Sequence, residues 1–187
     1  MKNAVKLFLA ICFVGISLFV IQNFLFPLVY TIKEPLFAMP IRAERLPIRN
    51  DAHGNGEFGA KRKNGRMHNG VDLAAGINSP VYASKSGWAR ACYIPGGYGN
   101  LVVIKHPGKW QTRYGHLNKT TIKKLQWIRQ GAIIGFVGKT GNANQKNIIP
   151  HLHFEIRYKG EPLDPATFLL SLRDKVYSLS PLGRGQG

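Results

Sequence analysis

Hydrophobic residues are distributed in two ways along the chain, and the first is a nearly continuous apolar run close to the N-terminus. This run covers residues 7–26, and Lys2 and Lys6 precede it. About twenty helical residues cross a hydrocarbon core of roughly 30 Å, so the run predicts one transmembrane helix. Because lysines before a span favour a cytoplasmic N-terminus, we assign residues 1–6 to a short cytoplasmic segment and residues 7–29 to the anchor.

A cleavable signal segment is the alternative interpretation of the same run. Signal peptides have an apolar region of about 7–15 residues and then small residues at the cleavage site. The run in this chain is longer, and residues 27–37 contain no small-x-small pattern. The sequence favours a single-pass protein of the inner (cytoplasmic) membrane whose remaining domain is exported, whereas cleavage would leave a secreted or periplasmic protein.

The second distribution consists of short runs of β-branched and aromatic residues that partly alternate with polar ones. Glycine-containing turns separate these runs, a pattern typical of β-strands joined by tight connections. The predicted strands are 81–83, 88–94, 101–106, 112–114, 132–137 and 152–158. The pattern predicts a mostly β domain, an antiparallel sheet with short strands and Gly-rich turns, preceded by one N-terminal transmembrane helix.

The domain limits follow from changes in composition. Residues 30–54 contain three prolines and scattered charges, which predicts a linker or a loop packed along the domain surface. We place the folded domain at residues 55–170 and a C-terminal tail at residues 171–187. Segment 118–129 is left open between a short helix and an extended chain.

Charge narrows the choice of partners only in part. The 187-residue chain has 26 Lys and Arg residues against 9 Asp and Glu residues, a formal net charge of +17. Such a positive field attracts polyanions, whether nucleic acid, a cell-wall polymer or a lipid surface. An exported position and the scattered basic residues make nucleic acid an unlikely partner and favour the anionic cell envelope. Cys12 lies in the apolar run and Cys92 in the domain, so we do not expect them to pair.

The histidines offer the clearest candidate chemistry. His151 and His153 are two residues apart on a predicted strand, so their side chains share one face. His68 and Asp72 flank an Asn-Gly turn signal far upstream. Nitrogen and oxygen donors from three side chains, with one position left for water, are what a catalytic zinc site requires. The alternative is a surface turn for the first pair and a solvent-facing strand for the second.

The remaining histidines carry less information individually. His53 lies in a glycine-rich turn, and His106 ends a predicted strand before Pro-Gly; both are interpreted as structural. His116 follows Tyr-Gly at another strand end, where a single imidazole indicates little.

Four motifs in order give the chain a resemblance to a known family. They are Phe58–Arg62, Arg66–Asp72, Tyr114–Leu117 and Pro150–Glu155. The chain resembles the lysostaphin-type (LytM-like) zinc metalloendopeptidases, which cut the peptide part of peptidoglycan. The similarity extends from about Gly56 to Leu169.

The resemblance implies a role for each motif residue. His68, Asp72 and His153 match the family's zinc ligands, and it implies one Zn²⁺ per domain. His116 and His151 match the two catalytic histidines that do not bind metal, and we favour His151 as the base. Glu155 is at most a group behind the ligands and otherwise an ordinary strand residue. No H-E-x-x-H pattern is present to supply a glutamate base.

The resemblance predicts a function and leaves one alternative open. The expected activity is zinc-dependent hydrolysis of peptide bonds in bacterial peptidoglycan, in stem peptides or crosslinks. The alternative is a non-catalytic wall-binding or regulatory module that activates another hydrolase, although all five expected site positions are present. The chain departs from the family pattern in residues 141–150, a segment that is longer and bulkier than usual and puts bond specificity in doubt.

Overall fold

The computed structural model describes residues 2–34, 36–62 and 65–169. The chain forms two compact units, residues 1–35 and residues 36–187. The predicted tail at residues 171–187 lies outside the described residues.

The first unit is helical along its described length. Helix α1 spans Lys2–Val20, a π-helical turn spans Ile21–Leu25, and helix α2 spans Phe26–Lys33. The residues at both junctions keep right-handed helical backbone angles, so the helix is continuous. Within the described residues, α1 is the helix long and apolar enough to cross a membrane by length and composition. The helix extends beyond the predicted 7–29 segment at both ends.

The second unit is built from antiparallel strands. Strands β1 and β2 form a small hairpin, and the others form one nine-stranded sheet. Its main order is β11-β10-β7-β6-β5-β8, with β3 paired to β10 and β9 bridging β7 and β4. The strand bounds are β1 Asn50–Asp51, β2 Gly54–Asn55, β3 Val71–Ala74, β4 Pro80–Tyr82, β5 Gly87–Ile94, β6 Gly99–Lys105, β7 Trp110–Thr120, β8 Gln126–Ile128, β9 Ile133–Val137, β10 His151–Tyr158 and β11 Glu161–Leu163.

The predicted fold class is confirmed, with informative differences in detail. Each of the six predicted runs corresponds to a strand, but β7 is much longer than the predicted 112–114. The reason is that β7 continues through Gly115 and past an irregularity after Leu117, where the alternation is lost. Segment 118–129 is extended, not helical: it ends β7 and contributes the edge strand β8.

Alternation along β10 separates the core from the site. Leu152, Phe154 and Ile156 are fully buried on the core side, whereas His153 and Glu155 point to the other face. The core also includes residues of the predicted linker, since Phe37 and Ile41 are buried against it. Residues 36–54 therefore belong to the packed domain, because their apolar side chains have a core surface to cover.

A chain of buried polar groups crosses the sheet near β6 and β7. The Ser84 N–H donates to the Tyr114 hydroxyl oxygen (2.9 Å), which lies 2.9 Å from the Thr112 hydroxyl. Thr112 Oγ1 is 2.8 Å from Nε2 of His106, and Nδ1–H of His106 donates to the Ser86 carbonyl (2.8 Å). Because the carbonyl can only accept, Nδ1 of His106 carries a proton, and in the neutral ring Nε2 is the acceptor. Its position is structural.

This arrangement makes the stability of the domain depend on pH. Burial, with a smaller effect of nearby Lys85, lowers the pKa of His106 to about 4. In the unfolded protein the His106 side chain binds a proton near pH 6.5, whereas in the folded protein it binds one only near pH 4. The free energy of unfolding should therefore fall as the pH drops from about 6.5 to 4, by about 3 kcal/mol for this group.

Denaturant unfolding across that pH range measures the effect. A His106→Gln variant should be less stable overall and lose about 1.4 kcal/mol per pH unit of the slope. The other buried histidines are unchanged in the variant, so the difference isolates His106. An identical slope in the two proteins would contradict this assignment.

Candidate metal centre

The pairing of β3 with β10 creates the centre. Asp72 lies opposite His153 in the antiparallel register. Gly70 precedes β3, where an added Cβ would lie 2.2 Å from the Phe154 carbonyl oxygen, so only glycine allows this close approach. His68 is held just upstream by two backbone hydrogen bonds with residues 59 and 60. A loop and two strands thus bring three donor side chains together.

Three donor atoms form a tight triangle. His68 Nε2 and His153 Nδ1 are 3.0 Å apart, and Asp72 Oδ1 lies 3.0 Å from the first and 2.9 Å from the second. All three side chains are buried. Ligands about 2.0–2.2 Å from a tetrahedral zinc ion lie slightly farther apart than this, so the triangle needs only a small expansion to fit the ion.

Hydrogen bonds behind the two imidazoles determine which ring nitrogens carry protons. Nδ1–H of His68 donates to the Glu57 carbonyl (2.7 Å), which leaves a lone pair on Nε2. Nε2–H of His153 donates to Glu155 Oε1 (3.1 Å), so the neutral form of this ring has its lone pair on Nδ1. Two imidazole lone pairs and a carboxylate oxygen therefore face one point. Such an arrangement is repulsive unless a cation lies between them.

The shifted pKa values of His153 and Asp72 also show that the centre stabilises positive charge. Burial lowers the pKa of His153, but the hydrogen bonds and charges of Asp72 and Glu155 outweigh it and raise the pKa to about 9. Burial raises the pKa of Asp72, yet hydrogen bonds from His153 and His68 hold it well below its usual range. A proton is the smallest cation that satisfies these acceptors, and a metal ion satisfies all three at once.

The second oxygen of Asp72 is occupied by arginines. Arg49 Nη2 and Arg62 Nη2 donate to Asp72 Oδ2 at 3.1 and 2.9 Å. Arg49 also pairs with Asp51 at 2.6 Å, and Asp51 Oδ2 accepts the backbone N–H of Ile149. The arginines leave Oδ1 as the free ligand atom and connect the carboxylate to the segment before β10.

Glu155 is a buried anion with four partners. Besides His153, it accepts hydrogen bonds from the Tyr98 hydroxyl and from Arg157 Nε (2.6 Å), and Arg113 Nε lies 3.8 Å away. Burial raises its pKa, but these partners lower it to about 2. The sequence predicts that Glu155 is at most a group behind the ligands. Its hydrogen bond with Nε2 of His153 fits that role, because it determines the tautomer of the neutral His153 ring.

His116 and His151 lie beside the triangle in matching states. Nδ1–H of His116 donates to the Thr140 carbonyl (2.9 Å), and Nδ1–H of His151 donates to the Ile149 carbonyl (2.7 Å). Their rings are 5.0 Å apart, and His151 Nε2 is 3.9 Å from Asp72 Oδ1. Burial lowers the pKa of both, to about 3 for His116. Each presents a neutral Nε2 lone pair to the cleft.

The five predicted site residues line one cleft of about 390 Å³. Segment 141–150 forms one wall and contributes Gln145 and the buried Ile148. His53, interpreted from sequence as structural, lies at the cleft and bonds through Nε2 to the Lys146 carbonyl (3.1 Å). The sequence did not predict that Arg49, Arg62 and Tyr98 belong to the site, although Arg62 lies in the first of the four motifs, Phe58–Arg62.

Two imidazole nitrogens and one carboxylate oxygen that converge on one point are the donor set of a catalytic metal site. The sequence model of Peptidase family M23 matches residues 66–165, and the chain belongs to that family. This confirms the family resemblance. The particular metal and the roles of individual residues stay predictions.

Two curated relatives and one solved structure illustrate the similarity. Cell division protein DipM of Caulobacter vibrioides is 38% identical over 130 residues, 66% of this chain and 20% of DipM. DD-carboxypeptidase/endopeptidase Mpg of Neisseria meningitidis is 40% identical over 105 residues, 56% of this chain and 23% of Mpg. A zinc-containing peptidase from Vibrio cholerae superposes with a TM-score of 0.56 at 34% identity, covering 69% of this chain and 39% of that one. The chain thus spans about a fifth of the length of these curated relatives.

The hydrogen bond from His153 to Glu155 leads to a test of metal affinity. Glu155→Gln removes the charge that orients Nε2–H, so zinc affinity should fall about 10- to 100-fold. Competition with a chromophoric chelator measures this directly. Glu161→Gln, an exposed neighbour on β11, is the matched control and should bind zinc as the wild type does. Equal affinities for Glu155→Gln and wild type would refute the positioning role.

Proposed function

We propose that this protein is a membrane-anchored zinc endopeptidase that hydrolyses peptide bonds of bacterial peptidoglycan. The observation that carries the proposal is the set of three facing lone-pair donors with two neutral imidazoles beside them. Family membership and a relative named as a peptidoglycan DD-endopeptidase, ShyB of Vibrio cholerae, support the substrate class. This substrate class includes both the stem peptides and the crosslinks of peptidoglycan.

His68, Asp72 and His153 would hold the zinc ion. When bound, zinc acidifies water and polarises the scissile carbonyl as a Lewis acid. The preference for zinc rests on the donors, since two imidazole nitrogens and one carboxylate oxygen are ligands that zinc accepts in catalytic sites. Arg49 and Arg62 donate to Oδ2 of Asp72, which would leave Oδ1 as the ligand atom for the ion.

The two remaining histidines would move protons. His151 Nε2 is an acceptor close to the ligand triangle, so it accepts the proton of the attacking water as general base. The resulting imidazolium returns the proton to the leaving amine. His116 lies beside His151, and because its neutral Nε2 is an acceptor, it would stabilise the charge that develops on the carbonyl oxygen only after it takes up a proton at Nε2.

Single substitutions of the site histidines separate binding from catalysis. His153→Ala should lose both zinc and activity, because it removes one of three ligands. His116→Ala and His151→Ala should keep about one zinc per chain and lose roughly 10²- to 10⁴-fold in activity, the usual contribution of a positioned acid or base. Metal analysis and the release of peptides from purified sacculi provide the two measurements.

The same series distinguishes the enzyme from a regulatory module. A module that only activates another hydrolase would still stimulate its partner after His153→Ala, provided that the domain stays folded. Zinc-loaded protein that releases no peptide from any muropeptide preparation would refute the proposal.

We further propose that α1 keeps the protein in the cell envelope as a single-pass membrane protein. The helix is apolar from Leu7 to Val20, and none of its side chains is buried within its unit. Intact-mass analysis of the membrane fraction should find the N-terminal helix uncleaved, and alkaline extraction should not release the protein. A variant that lacks residues 2–35 should be released, because it retains only the packed domain. A shortened mature protein in the soluble fraction would indicate cleavage instead.

A further inference from the structure

The sheet face that carries His153 continues across the domain to the edge strand. Residues that pair directly across antiparallel strands have side chains on the same side. Glu155 pairs with Arg113 on β7, and Arg113 pairs with Val103 on β6. Val103 pairs with Arg90 on β5, so Arg90 shares the face of the metal centre. The same registers place Trp88, Lys105 and Trp127 on this face.

Two indole rings stand at the far end of the face. Trp88 pairs with Trp127 of β8, and their rings meet edge to face with centroids 5.8 Å apart. Trp88 remains 41% exposed, although its neighbour Ala89 is fully buried on the opposite side of β5. An exposed indole held by a second ring is a rigid surface with both apolar area and a polar edge. The C–H-rich face of a sugar ring packs well on such a surface.

Basic side chains that can bind an anionic ligand lie between the indole rings and the metal centre. The buried carboxylate of Glu155 is already paired with Arg157 and lies near Arg113. Arg90 and Lys105 are exposed, and none of the ion pairs among the described residues involves them. The face therefore attracts the carboxylates of peptide branches, and its aromatic end offers a surface for a sugar.

The distances suit a polymer whose peptide branches reach the cleft. Three strand spacings separate β10 from β5, about 14 Å at the usual 4.7–4.9 Å per strand. Trp88 is in register with Arg157, which lies four residues and about 13 Å along β10 from His153, so Trp88 is about 20 Å from the metal centre. An extended peptide needs about six residues to cover this distance, at roughly 3.3–3.6 Å per residue, and a stem peptide together with its crosslink supplies them. A sugar chain at Trp88 thus delivers the crosslinked end of its own stem peptide to the metal centre.

We propose that Trp88 binds a sugar of the glycan strand of peptidoglycan, and that Arg90 and Lys105 bind carboxylates of its stem peptide while the crosslinked end of that peptide occupies the catalytic cleft. This inference rests on the proposed function for its substrate class. It adds that the enzyme acts on peptides still attached to sugar and discriminates against free crosslinked peptides.

Two substrates separate this subsite from the catalytic centre. One is a crosslinked muropeptide dimer with its sugars, and the other is the same dimer after enzymatic removal of the sugars. In the full-length protein in detergent, Trp88→Ala should reduce kcat/KM for the sugar-bearing dimer about tenfold through KM. The sugar-free dimer should be cut at the wild-type rate.

Further substitutions test whether the effect of Trp88→Ala is specific to this side chain or arises from a general disturbance of β5. Tyr93 lies on β5 with 60% exposure and points to the opposite face, so Tyr93→Ala should change neither substrate. Trp88→Phe keeps an aromatic surface and should retain most of the sugar preference. Arg90→Ala should weaken use of the sugar-bearing dimer at low salt and lose its effect at high salt. Equal slowing of both dimers by Trp88→Ala, or no slowing of either, would overturn the proposal.

Direct binding distinguishes this proposal from failure of the proposed function. Peptide-free glycan strands should change the tryptophan emission of wild type and Tyr93→Ala, and not of Trp88→Ala. This result would support the subsite even if no dimer were cleaved. Absence of glycan binding, or loss of binding only to vesicles of anionic lipid in Trp88→Ala, would overturn it in favour of no ligand or a membrane surface.

Discussion

The antiparallel pairing of β3 with β10 is the contact on which the rest of the site depends. It places Asp72 directly across from His153, and backbone hydrogen bonds hold this register more rigidly than side-chain contacts would. A shift by one residue would turn His153 toward the core and Phe154 toward the cleft. Gly70 allows the two backbones to approach at the point where His68 enters. The ligand geometry is thus a consequence of sheet formation, before any metal binds.

Charge around the site is arranged in layers. The three ligand atoms converge, while the groups behind them are each satisfied by a partner of opposite charge or a carbonyl: Asp72 by arginines, His153 by Glu155, and His68 by Glu57. Because these partners hold every ligand side chain in one orientation, a metal ion needs little rearrangement of the site and displaces only the proton held between His153 and Asp72. Two neutral imidazoles complete the cleft on the side where a substrate carbonyl would lie.

Much of this arrangement is predictable from local patterns, and the remainder depends on contacts distant in sequence. Spacing alone gives His153 and its core neighbours opposite faces, and the resemblance supplies the roles of His68 and Asp72. Arg49 could not be predicted, because it lies in a proline-rich segment whose packing against Asp72 depends on the tertiary fold. Glu155 resembles a solvent-facing strand residue in the sequence, because the tyrosine and one of the arginine side chains that cover its carboxylate come from other parts of the domain. His116 interrupts the alternation of β7 with a left-handed backbone (φ 60°), which conceals the length of that strand.

The central claim is that the sheet prearranges three specific atoms around a single cation. Anomalous diffraction at the zinc absorption edge, from crystals of the zinc-loaded protein, tests it most directly. The predicted result is one peak per chain, within about 2.0–2.2 Å of Nε2 of His68, Oδ1 of Asp72 and Nδ1 of His153. A peak coordinated by His116 or His151 in place of these atoms, or no peak in the cleft, would contradict the account.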